Sequence, residues 1–240
     1  MCSKNRNKRY LRTDEVLKFI TGDRERTNLL KNHEEKALAY LVQRIPPWIK
    51  PDMLTAIGLG GNIIVFLGFV LAAYINKYYL LLGLLGFAIS WYGDSLDGRL
   101  AYFRQNPRKR YGFALDITID WISIILIGFG YIVYVEGYWD LLGYGFVVLY
   151  GWEMIIALIR YKITGNYSID YGLLGPTEVR ILIAAILIVE VLLQGSIIIS
   201  ASVLVLVLFI VNILDTHRLL HIADNIDNKE KEGRSDTNGN

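Results

Sequence analysis

Between residues 54 and 214 the chain alternates long apolar blocks with short polar turns. Largely uncharged blocks of about 18 residues or more are the length of helices that cross a hydrocarbon slab of roughly 30 Å. The pattern predicts an all-α integral membrane fold with six transmembrane helices, at about 54–75, 78–103, 112–135, 141–161, 177–193 and 197–214. The second block turns polar over its last third, and the fifth is short. Only Gln194, Gly195 and Ser196 separate the fifth from the sixth, which predicts a tight hairpin. Upstream, Leu38, Leu41, Val42 and Ile45 recur at helical spacing within 34–45; Pro46 and Pro47 then stop the helix, and Trp48 follows. This amphipathic N-terminal helix fits the cytoplasmic face of a membrane, with a cap packed on the bundle as the alternative. Residues 1–30 and the tail from about 227 are polar and aperiodic, which predicts mobile segments. The organisation is a cytoplasmic segment over 1–50, a membrane domain over 51–218 and a cytoplasmic tail over 219–240.

Charge orients this arrangement. The net charge of +2 gives no electrostatic reason to expect a nucleic-acid partner. Residues 1–50 hold twelve Lys/Arg against six Asp/Glu. Arg104, Arg108, Lys109 and Arg110 lie between spans two and three, Arg160 and Lys162 follow span four, and His217 and Arg218 follow span six. The opposite turns carry Lys77, Glu136 and Asp140. With six spans every basic segment falls on one side, which the positive-inside rule makes cytoplasmic, so a multi-pass protein of the inner membrane is expected. The first thirty residues lack the apolar core of a secretory signal, and a single cysteine, Cys2, can form neither an internal disulfide nor a cysteine metal site.

Four carboxylates disturb the apolar pattern. Asp94 and Asp97 are three apart on span two, and Asp116 and Asp120 are four apart on span three, so each pair shares a helix face. A carboxylate deep in a bilayer costs about 3 kcal/mol or more unless it faces a polar cavity or a partner. A hairpin of spans two and three brings the pairs together near the cytoplasmic end, where hard cations such as Mg²⁺ or Mn²⁺ would neutralise them. Gly93, Gly98, Ala101 and Gly112 surround the acids, either for close helix approach or as room for a nucleotide. Glu153 and Glu190 also lie in apolar runs; their expected place is the outer half, far from the acids, in interhelical hydrogen bonds or a dimer contact. Cation transport is the competing reading of the acids, and a catalytically inactive membrane scaffold is the third.

The acid-bearing stretch resembles the signature of the CDP-alcohol phosphotransferase (CDP-alcohol phosphatidyltransferase) family, D-x-x-D-G-x-x-A-R followed by G-x-x-x-D-x-x-x-D. Asp94, Asp97, Gly98, Ala101, Gly112, Asp116 and Asp120 match it, and Tyr102 stands in place of the signature arginine, for which Arg99 or Arg104 could substitute. Pro51 to Thr55 resembles the family's opening of span one, and Gly175, Pro176, Thr177 and Glu178 with Arg180 resemble a G-P-T-E segment of several branches. The resemblance implies six spans and transfer of a phosphate-linked group from a CDP-activated donor to an acceptor alcohol with release of CMP, as in phospholipid biosynthesis. It implies two Mg²⁺ or Mn²⁺ ions on Asp94, Asp97, Asp116 and Asp120, with Asp120 as base. Nucleotide contacts are expected from Asp94, Asp97, Gly98, Ala101, Gly112, Arg104 and Thr55. Arg160, Lys162, Arg180 and Arg218 are candidates for an acceptor that carries phosphate; the G-P-T-E likeness points instead to a CDP-amino-alcohol donor and a diacylglycerol acceptor. The expected assembly is a homodimer in the lipid bilayer.

Overall fold

The computed structural model describes residue 16, residues 31–165 and residues 176–238. Every regular element among the described residues is helical. The α-helices are α1 (Lys31–Val42), α2 (Pro51–Tyr74), α3 (Leu82–Phe103), α4 (Lys109–Tyr134), α5 (Leu141–Thr164), α6 (Pro176–Leu192) and α7 (Ser196–Asn238). Short 3-10 turns, Lys77–Leu81 and Gly137–Asp140, lead into α3 and α5.

Five of these segments are long and apolar enough to cross a membrane: α2, Lys77–Phe103, α4, Gly137–Thr164 and Ser196–Lys229. The chain is therefore read as an integral membrane protein. The fifth expected span, about 177–193, falls on α6, whose 17 residues rise only about 25 Å, short of the slab, so it is not among the five. The reading of the tail from about 227 as aperiodic and mobile is corrected: α7 is one helix of 43 residues that runs to Asn238. A solvated helix needs no apolar stripe, so hydrophobic periodicity does not announce it.

Small residues set the packing. In α2 and α3, a Cβ on Gly61 would stand 2.5 Å from the backbone of Gly86 and Ser90, and one on Gly93 would strike Leu54 and Gly58. The backbones touch, as small residues permit between membrane helices. Gly93 thus serves close approach. A Cβ on Gly112 would meet open space among the described residues, which leaves the second expected purpose, room, to that position. Asn62 on α2 donates to Ser123 Oγ on α4 at 2.7 Å, and Gly130 on α4 lies under the Phe69 ring. Next, α4 meets α5 through Gly128 against Gly143 and Val147, and through Trp121 against Gly151. Asn212 on α7 donates to the Leu149 carbonyl on α5 at 2.8 Å.

The buried apolar side chains form two clusters. One contains Val65, Phe69, Phe87, Ile127, Phe146 and Leu187 and fills the body of the bundle. The other gathers Leu38, Val42 and Ile45 with Leu54, Leu96 and Leu100. The apolar face of α1 is thus turned onto α2 and α3, the cap arrangement of the two alternatives. Thr177 Oγ1 donates to Glu34 Oε1 at 3.2 Å, so α1 also reaches the start of α6. The polar residues of α3 and α4 lie between the two clusters along the chain.

Candidate active site

The α3–α4 hairpin brings three of its four acids together. Asp94, Asp116 and Asp120 each present an oxygen, all within 4.8 Å of one another, and all three are half-buried. At that separation two carboxylates repel by about 3 kcal/mol for an effective dielectric near 20, so the group needs positive charge. A single hard cation binds carboxylate oxygens at about 2.1 Å for Mg²⁺ and up to about 2.6 Å for Ca²⁺, which the spacing accommodates with small side-chain movements. The donor set fits a divalent ion.

Asp97 stands apart from this triad. Its Oδ2 accepts from Thr55 Oγ1 at 2.6 Å, and its Oδ1 accepts from the Gly98 N–H. The expected four-acid metal set therefore resolves into three gathered carboxylates and a fourth turned to α2. Thr55, expected among the nucleotide contacts, is the residue that holds Asp97. Ala101 and Gly98, one turn along α3, are half-buried, and Gly112 opens the start of α4.

The basic residues take other places than the ones expected. Arg180 Nη2 is 2.7 Å from Asp94 Oδ2, which puts Arg180 against the triad. Arg218 pairs with Asp215 at 3.1 Å, and Arg160, buried between α5 and α7, lies 3.9 Å from the same carboxylate. Lys162 is exposed. Three of the four candidates for one acceptor site are thus divided between two acids, and the fourth, Lys162, is the exposed one. Arg104 donates to the carbonyls of Ile49 at 2.5 Å and Pro46 at 2.9 Å, so it anchors the segment leading into α2. Arg99 donates to the Ser95 carbonyl on its own helix.

Two acids outside the signature are now placed. Glu190 is 1% exposed and accepts from Tyr134 Oη at 2.9 Å, Gly195 N at 3.0 Å, Ser196 Oγ at 3.2 Å and Ile197 N at 2.8 Å. It closes the α6–α7 turn, where Gly195 has φ 93°, and caps the N-terminus of α7, whose first N–H groups have no partner within the helix. Interhelical hydrogen bonding is the alternative realised. Glu153 requires a correction. Trp121 faces Gly151, and Phe113 stacks on Tyr161 with ring centres 5.4 Å apart. This antiparallel register sets Glu153 level with Asp120, not in the outer half.

A search of the curated proteins finds no match to this chain. The family model for CDP-alcohol phosphatidyltransferase matches residues 48–213 of 240, a stretch that runs from Trp48 through α2 to α6 and into α7 and contains all four aspartates. On that match the chain belongs to the CDP-alcohol phosphatidyltransferase family, a group of membrane transferases that act on CDP-alcohols and are generally dependent on divalent metal.

Proposed function

We propose that this protein transfers a phosphate-linked group from a CDP-alcohol, CDP-diacylglycerol or a CDP-amino-alcohol, to an acceptor alcohol and releases CMP. The observation that carries the reading is the gathering of Asp94, Asp116 and Asp120 within 4.8 Å in a chain of this family. These three would hold Mg²⁺ or Mn²⁺, and a second ion would draw on Asp97. A divalent ion there neutralises the donor's diphosphate and the CMP that leaves. The acceptor oxygen forms a bond to the donor phosphorus as the bond from phosphorus to the CMP oxygen breaks. Asp120, deepest of the triad along α4, takes the acceptor's hydroxyl proton. Asp97, oriented by Thr55, keeps the wall of the nucleotide site in place, and Gly112 leaves it open. Gly98 and Ala101 shape the same wall. The positive-inside distribution of Arg104, Arg108, Lys109 and Arg110 supports a cytoplasmic site in an inner membrane, with α6 as a short fifth span of six.

The test is purified protein with Mg²⁺ or Mn²⁺, CDP-diacylglycerol or CDP-choline, and a panel of alcohols, with CMP as readout. CMP release that requires both an acceptor and a metal is expected. Metal binding without CMP from any donor and acceptor pair would leave an inactive scaffold.

A further inference from the structure

The contact between Arg180 and Asp94 has no part in the chemistry above, yet it engages one of the three triad carboxylates directly. Arg180 Nη2 lies 2.7 Å from Asp94 Oδ2, with the two side chains only 16% and 28% exposed. Arg180 belongs to the first turns of α6, whereas Asp94 belongs to α3, and 86 positions separate them. The pair therefore joins two helices at the triad, while Leu187 against Gly83 joins the same helices farther along. A guanidinium in hydrogen-bond contact with a carboxylate already supplies the positive charge that crowded acids require. A divalent ion on the same carboxylate meets that charge as a repulsion.

We infer that Arg180 is the resident counter-cation of the acid triad: it holds Asp94 in the metal-free protein and competes with the divalent ion for that carboxylate. Arg180 is thus a positioning residue that sets metal affinity and couples metal binding to the seating of α6 on α3. The inference rests on the metal-site reading above. Its sign is unusual. Removing the arginine takes a cation away from the ion's neighbourhood, so metal binds more tightly, while the metal-free protein loses the charge that restrained its acids.

The experiment uses the full chain in detergent, with Mn²⁺ binding followed by electron paramagnetic resonance and thermal unfolding followed in EDTA and in Mn²⁺. Arg180→Gln is expected to bind Mn²⁺ about tenfold more tightly than wild type. In EDTA its midpoint is expected to fall by about 4 °C, and saturating Mn²⁺ should restore it. Arg180→Lys, which keeps the charge but loses the planar fork, should shift both quantities in the same directions by less. It carries the comparison if the Gln variant is not recovered folded. In an Asp94→Asn background, Arg180→Gln should no longer lower the midpoint, since its partner is already neutral. Unchanged or weaker Mn²⁺ binding in the arginine variants overturns the inference, as does a midpoint loss that persists in full in the Asp94→Asn background. Wild-type protein that binds no Mn²⁺, or Asp120→Asn that binds it as wild type does, defeats the metal site itself, and the inference falls with it.

Discussion

Two sets of carboxylates in apolar helices, one buried and one half-buried, show how the same chemical group serves opposite ends. Glu190 accepts hydrogen bonds from a tyrosine, a serine and two backbone N–H groups, all supplied by the turn it closes and the helix beside it. Asp94, Asp116 and Asp120 instead converge on one another. A carboxylate surrounded by donors stabilises the fold, whereas carboxylates aimed at a common point repel one another and call for positive charge, part of which Arg180 supplies at Asp94. Presence in an apolar helix does not separate the two cases. The direction of the neighbours' dipoles does.

The sharpest way to break the comparison is to neutralise one acid of each kind. Asp120→Asn should reduce CMP release by about a thousandfold or more, measured with saturating metal and both substrates. The same substitution should raise the unfolding midpoint in EDTA by about 3 °C, because it removes repulsion within the triad. Glu190→Gln should do the reverse. Its expected loss of stability is about 2 to 4 kcal/mol in denaturant titrations, from donors left without their charged acceptor, with kcat changed little in the protein that remains folded. If Asp120→Asn destabilises the metal-free protein as much as Glu190→Gln does, the distinction between the two sets fails. A smaller effect sharpens the boundary at Asp97, which resembles Glu190 in having donors and the triad in its position. Asp97→Asn should raise the donor KM by about tenfold with a lesser fall in kcat. Thr55→Val, which exchanges for a methyl only the hydroxyl that orients Asp97, should raise it about threefold.

The sequence carries the main features of the site because helical spacing converts directly into shared faces. Asp94 with Asp97, and Asp116 with Asp120, need only the period of the α-helix and a hairpin to be brought near one another. What escapes depends on register and partner choice. Arg180 meets Asp94 across 86 positions, and nothing in the local pattern around either residue points to the other. The depth of Glu153 depends on how α4 and α5 slide past one another, which Gly143 and Gly151 decide by contact. Asp97 loses its place in the triad to a threonine on a third helix. The part of α7 past Asp227 escapes for a different reason: its residues are all polar or glycine, so the segment carries no apolar period.

That extension has a consequence of scale. A continuous helix of 43 residues measures about 65 Å, roughly twice the hydrocarbon thickness. Its apolar first half anchors in lipid, so the second half stands as a mast about 35 Å beyond it. Because one rod runs through both halves, a tilt of the buried portion against α5 swings the free tip through a larger arc. Probes attached near that tip would magnify small rotations at the Asn212 contact into displacements easy to measure.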